Sequence, residues 1–537
     1  MNKAFPKRMS VLLAMLLLVA FLLPGCTTTP AEQETRENVC HSETMGTTEP
    51  SENTTAAVSG EDQTATEAAL ESTEAAEGTA ESIPYGENLE GTLRVVTDEE
   101  NGMLPQLDSI IRKFETFHPN VTVEVEYLPY DDTEAREIAL DQLRTAIMAG
   151  KGPEIYLLPT SGIGGREPLF FDVNQSMRNG LFADISELYD GDTALETDKL
   201  NKTVMDTGVL DGVRYVLPLR FNIPVAYVDI QDFEAAGLST DIFNSDMAGI
   251  LDAVAASKDP LIAAGAFPLA TNNMSLFYYF PEFIDYDNEE ILLTAEELVT
   301  FLESYKGARI LQGQQLDPLT FDILSLDTYA TQSMPFWAND GYSLAVADLD
   351  KVLEHAAIAK AEGIELGMYP IKTSDGSLVA DVTYFGAIDG YCENPGLAYA
   401  FLREFLTEES QWEQNVYATD SAFVRLSYSG YPVRAEGSVS KLYSSLWDRI
   451  PITGITSEEQ NTIRERKEQL NIELTNDDIP VLQATIDKAR FPISNESVWS
   501  MELYQLYDWS SGKWVETDID GLAEEIIDEL FWHLFEG

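Results

Sequence analysis

The side chains of this chain best placed for chemistry are short polar groups where strands are expected to end and aromatic groups in loop-like stretches. Asp98, Glu100, Thr160 and Ser161 make up the first set; Tyr279 in the run Phe277-Tyr278-Tyr279-Phe280, Trp337 in Phe336-Trp337, and Tyr342 make up the second. Carboxylates and hydroxyls exchange directed hydrogen bonds with a small polar molecule, and aromatic faces pack on its apolar surface. This is the chemistry of binding. Turn, cap and core roles are the competing readings of the same residues. Catalysis has weaker footing. The four histidines, His41, His118, His355 and His533, share no metal-ligand spacing, and neither a Gly-x-Ser-x-Gly elbow nor a phosphate loop is present. The acidic run 285–290 resembles a calcium loop with Glu296 at its twelfth place, yet its sixth place is Glu290 where glycine is required; Thr294 and Glu297 read as a helix capping box. No metal or cofactor is expected. Paired carboxylates for glycoside cleavage stay open, because 92 acidic residues offer many chance pairs.

Alternating strand and helix patterns position these groups. Residues 92–97 read as a strand, Leu107, Ile110, Ile111, Phe114 and Phe117 recur at helical spacing, and 121–127 alternate with period two. A second helix is capped near residues 131–133, carries Ile138, Leu143, Ala146 and Ile147, and stops at Gly150; residues 153–158 read as a short buried strand. Strands joined by helical crossovers imply a parallel sheet whose ligands lie beyond the strands' carboxyl ends, here 98–101 and 159–162. Asn394-Pro395 opens a helix with Leu397, Ala398, Phe401, Leu402, Phe405 and Leu406 on one face, and Leu522, Ile526, Ile527, Leu530, Phe531 and Leu534 mark a closing amphipathic helix.

At the start, Lys3, Lys7 and Arg8 precede an apolar run over residues 11–23 that is short for a bilayer span. The run ends in Leu23-Pro24-Gly25-Cys26, which resembles a bacterial lipobox, so residues 1–25 are expected to be removed and Cys26 to take a diacylglycerol. An ordinary cleaved signal is the alternative. Residues 27–84 contain no Phe, Trp or Tyr and one basic residue, Arg36, among repeated Thr, Ser, Ala and Glu. Too little apolar surface is available there to offset ordering entropy, so 26–90 is expected to be a disordered tether reaching about 45 Å. Glycosylation of its threonines or a partner-binding role is the competing reading. The formal net charge of -59 argues against nucleic acid and against adsorption to anionic lipid. The remaining cysteines, Cys40 and Cys392, form no disulfide framework.

Five segments in order resemble the family 1 extracellular solute-binding proteins, the maltose-binding-protein-like substrate-binding lipoproteins of ABC transporters. They are 143–155, where a helix ends in Ala-Gly before Gly-Pro-Glu and a strand; 180–185; Asp211-Gly212-Val213-Arg214-Tyr215-Val216-Leu217-Pro218; 340–346; and Gly430-Tyr431-Pro432-Val433-Arg434. Glu154 stands where that family usually has aspartate, Tyr227-Val228-Asp229 departs from its usual Tyr-Asn-Lys, and residues 428–492 hold an unfamiliar insertion.

The resemblance implies an α/β, two-lobed periplasmic-binding-protein-like fold (type II) with hinge crossings near 220–227, 344–349 and 384–390. Lobe 1 would comprise 91–219 with 348–385 returning to it, and lobe 2 would comprise 220–347 with 390–537. The crossings add Arg220, Asn222, Asp348, Tyr384 and Phe385 to the ligand-binding candidates. The expected ligand is a small molecule, a sugar, because sugars offer C–H faces for stacking and hydroxyls for hydrogen bonding. The implied protein is a monomer on the extracellular face of the membrane, touching it through lipid only. It would catalyse nothing and deliver its ligand to ABC permease subunits. A surface glycoside hydrolase, or a sensor or adhesion lipoprotein, is the alternative.

Overall fold

The computed structural model describes residues 89–99, 104–161, 166–235, 237–257, 279–313, 343–346, 349–412, 430–441, 472–492, 507–508, 513–514 and 518–536. The expected α/β architecture is present, built on a seven-stranded sheet, a three-stranded sheet and two hydrophobic cores. Cys26 and the tether through residue 88 lie outside the described residues, as do Glu100, Trp337, Tyr342 and Asp348.

The chain opens with β1 (Glu90–Asp98), α1 (Leu104–Phe117), β2 (Asn120–Leu128), α2 (Thr133–Met148) and β3 (Ile155–Pro159). Local chemistry sets these limits. The Asp132 carboxylate accepts the Ala135 N–H at 3.0 Å to cap α2, and Gly150, at φ +65°, ends it in the left-handed region that glycine tolerates. β1 lies between β2 and β3 and pairs in parallel with both. Every residue of β3 is buried, as befits an internal strand, whereas the outer strand β2 keeps alternate residues exposed. Glu154 uses its extra methylene to reach Arg94 on β1, accepting from both the backbone N–H at 2.8 Å and the guanidinium at 3.0 Å.

After a short helix, α3 (Val173–Arg178), the chain returns through β4 (Val216–Asn222), then passes by Ile223 into β5 (Pro224–Asp229). β5 is the central, antiparallel member of a three-stranded sheet, flanked by β6 (Ser343–Val346) and β7 (Leu366–Pro370). It also separates the cores, because period-two alternation puts Val225 and Tyr227 in the first and Ala226 and Val228 in the second. α4 (Met247–Ser257) and α5 (Ala295–Gly313) fill the second core. The capping box at the start of α5 forms, with Thr294 N–H donating to Glu297 at 3.2 Å and Glu297 N–H to the Thr294 hydroxyl at 3.3 Å.

From β7 the chain recrosses into β8 (Val379–Ile388), which pairs antiparallel with β3 and β4. β9 (Tyr431–Pro432) adds to β4, and β10 (Lys488–Arg490) runs parallel to the start of β8. The large sheet therefore reads β9-β4-β8-β3-β1-β2, with β10 on β8. α6 (Pro395–Leu402) packs its apolar face into the first core behind an Asn394 cap, while α7 (Ile519–Glu536) belongs to the second.

Residues 395–412 join the first core by helix packing, and 430–439 and 474–491 join it through β9 and β10, which hydrogen-bond to β4 and β8. Residues 384–388 are internal to β8, and the chain recrosses before Val379.

Candidate functional site

One edge of the large sheet gathers the polar residues. β1 has β2 on one side and β3 on the other, so the strand order reverses there, the place at whose carboxyl ends sheets of this kind hold their ligands. Asp98 closes β1 at that point, and Asn222 ends β4 opposite Asp381 near the start of β8. Both links to the three-stranded sheet, 222–224 and 371–378, leave from this same edge.

Asp98 does not offer a bare carboxylate to solvent. It is 3% exposed and takes Arg136 Nη1 of α2 at 2.5 Å. Burial pushes the Asp98 carboxyl pKa up, while the charge and hydrogen bond of Arg136 pull it down. Arg136 also donates to the carbonyls of Glu167 (2.9 Å) and Pro129 (3.1 Å), so one guanidinium joins three segments.

Next along the edge, the Thr160 hydroxyl donates to Val382 O at 2.6 Å and its N–H to Thr383 O at 2.9 Å, which spends the side chain on holding β3 to β8; Ser161 is half-buried beside it. Asn222 is half-buried and close to Thr383 and Gly430. A Cβ at Gly430 would stand 2.8 Å from Asn222 Oδ1, 2.9 Å from Thr383 Oγ1 and 2.5 Å from Phe221 O. The strand pairing slips at Thr383, as bulges beside sites often do. The Asn222 amide and the Thr383 hydroxyl thus converge where glycine alone leaves room.

Four other candidates are packing residues. Arg220 is 1% exposed and donates to the carbonyls of Gln411 (3.1 Å) and Ser410 (3.2 Å). Tyr279 lies in the second core, 4.6 Å from the Phe280 ring and 5.1 Å from Phe301. Phe385 is enclosed by Phe170, Phe182 and Phe491, and Tyr384 is buried in the same first core. The sequence patterns could not separate these aromatics from exposed platforms, because burial here comes from segments far away in the chain.

The sequence reading missed Tyr130, Arg136, Arg166 and Thr383. Arg166 stands 5.3 Å above the Tyr130 ring and donates to the Thr133 hydroxyl at 2.6 Å. An arginine on the otherwise apolar face of α2, in a chain so acidic, was the available signal.

The sequence model for the family described as bacterial extracellular solute-binding protein matches residues 99–412. Among curated proteins none matches. Among solved structures, the family 1 extracellular solute-binding protein of Alicyclobacillus acidocaldarius is 15% identical, with a TM-score of 0.47 over 83% of this chain and 98% of its own. The galacto-N-biose/lacto-N-biose I-binding protein of Bifidobacterium longum is 12% identical, with 0.49 over 83% and 97%. A periplasmic oligogalacturonide-binding protein of Yersinia enterocolitica is 13% identical, with 0.47 over 83% and 99%. Likenesses at this level say nothing of what the present chain binds.

Proposed function

The chain belongs to the bacterial extracellular solute-binding proteins, and we propose that it is the capture component of an ABC importer, closing two lobes over a small carbohydrate and presenting it to a permease. The observation that carries this reading is the strand-order reversal, with Asp98, Ser161, Asn222 and Thr383 gathered at the edge from which both links to the second sheet depart. Polar groups at that edge meet a ligand seated between two cores, and the two links act as hinges. Closure then follows from tighter binding to the closed arrangement. In this reading no bond is made or broken.

The stacking faces fall to Trp337 and Tyr342, with Glu100 and Asp348 as further polar contacts. Lipidated Cys26 holds a monomer at the extracellular face of the membrane, and the segment 26–90 acts as its tether. No helix among the described residues is long and apolar enough to cross a membrane.

The test is isothermal titration of the purified body with mono-, di- and oligosaccharides, alongside amino acids and polyamines. A saturable, stoichiometric response to sugars alone is expected. Binding of amino acids or polyamines with no response to any sugar overturns the carbohydrate assignment, and turnover of a bound oligosaccharide overturns the non-enzymatic one.

A further inference from the structure

The last stretch of the unfamiliar insertion, residues 474–491, follows the later crossing along its length. Leu474, Ile479, Val481, Ile486 and Phe491 are buried in the first core, which roots the stretch in that body. Near its start the Asp478 carboxylate takes the Thr475 N–H at 2.6 Å and also Lys360 Nζ at 2.8 Å, from the helix Leu349–Glu362 of the same core. Pro480–Gln483 then lies beside β7. Asp487 accepts the Leu378 N–H at 2.9 Å and returns its own N–H to Leu378 O at 3.0 Å, and β10 carries the pairing on into β8.

Two side chains of β10 reach past this body. Arg490, held by Asp381 at 2.6 Å, donates to the carbonyls of Phe280 (2.5 Å) and Pro281 (3.1 Å) and lies 5.1 Å over the Phe283 ring. Lys488 meets Asp375 of the link 371–378 at 3.0 Å and Glu282 at 3.8 Å. Phe280 and Phe283 belong to the second core, and the link itself is tied to that side, since Ser374 N–H donates to Tyr279 O at 2.6 Å. A hinge absorbs rotation in a few residues at the ends of elements. Here those residues are bound to β10 on one side and to Tyr279 on the other. Any turn that carries 280–283 away from β8 breaks hydrogen bonds from a guanidinium, which are stronger than neutral ones.

We propose that residues 474–491 are a strap that limits how far the two bodies turn about the link 371–378, with Arg490 and Lys488 as its grip on the second body. This rests on the lobe-closure reading above and adds to it a restraint built from the insertion.

The test is double electron–electron resonance on the unliganded full chain, with its three native cysteines replaced by serine. Spin labels go at Asp141→Cys on α2 and Glu303→Cys on α5, both exposed. Arg490→Lys keeps a cation for the buried Asp381 but gives up the fork that holds the two carbonyls. It should broaden the distance distribution relative to the parent. Lys488→Gln should broaden it less, because its ion pairs are partly open to solvent, and it carries the comparison alone if Arg490→Lys does not fold. Lys360→Gln loosens a contact within the first body only and should leave the distribution as in the parent. Broadening from either β10 variant with Lys360→Gln unchanged supports the strap. A parental distribution in every folded β10 variant, or equal broadening from Lys360→Gln, overturns it. Neither result bears on sugar capture, which the titration above tests separately.

Discussion

Arg490 Nε donates to Asp381 Oδ1 at 2.6 Å, and the same guanidinium donates through Nη1 to the carbonyls of Phe280 at 2.5 Å and Pro281 at 3.1 Å. Asp381 lies near the start of β8 of the large sheet, whereas Phe280 belongs to the second core, so one side chain from the unfamiliar insertion ties the two bodies beside the later crossing. Asp381 is 3% exposed, and burial pushes its carboxyl pKa up against the pull of Arg490. Arg490→Ala should therefore cost about 3 to 5 kcal/mol, because it strands a buried charge. Asp381→Asn in the Arg490→Ala background should recover part of that loss. Urea unfolding of both variants measures it, and an unchanged midpoint for Arg490→Ala would refute the role.

A second tie lies at the turn 286–289. The Tyr286 hydroxyl donates to Asp172, which caps α3 of the first core, while Arg178 meets Asp287 at 2.8 Å and stands 5.4 Å over the Tyr286 ring. Burial and then the Asp172 charge raise the Tyr286 pKa, keeping the phenol protonated and able to donate. Tyr286→Phe combined with Arg178→Gln should shift the unliganded protein toward a more open form. Small-angle scattering should show a larger radius of gyration than wild type; an unchanged radius refutes the clasp.

Gly430 combines φ +111° with the close approach of Phe221 O and the Asn222 and Thr383 side chains. Gly430→Ala should destabilise the body by about 1 to 3 kcal/mol through backbone strain and displaced neighbours. Ligand affinity should fall as well, since Asn222 and Thr383 must move. A variant with wild-type melting and affinity would show that the convergence is incidental.

Asp375 governs acid sensitivity of the link between β7 and β8. Although burial opposes it, hydrogen bonds from Ser377, Lys488 and Thr373 hold its carboxyl well below the usual carboxylate range. A depressed folded pKa contributes stability that is complete above the unfolded value of about 3.9 and is lost as pH falls below it. Asp375→Asn should therefore lower stability at neutral pH and flatten the decline below about pH 4. Parallel acid-unfolding curves for the two proteins would contradict this.

Anchoring is tested by Cys26→Ser. The variant should leave the membrane fraction for the medium or accumulate as an unprocessed precursor, as read by fractionation and mass. Wild-type processing and membrane retention would rule out lipidation at this residue.

Sequence alone determined the features governed by neighbours a few residues apart. The strand, helix, strand alternation of residues 90–159, the α2 stop at Gly150, the Asn394 cap of α6 and the Thr294/Glu297 box are set by side-chain period, backbone freedom and local hydrogen bonds. It also carried the family, through short motifs in a fixed order. Tertiary structure decided which polar groups gather at the edge where the strand order reverses. Asp98 meets Arg136 only because the fold brings the first turn of α2 to the end of β1, and Asn222, Thr383 and Gly430 come together only through the register of β4, β8 and β9. Tyr279, Tyr384 and Phe385 are core residues because distant helices and strands cover them, and 474–491 belong with the first core because β10 pairs with β8. Such outcomes depend on long-range pairing, whose partners lie far outside any window over which hydrophobic periodicity can be read.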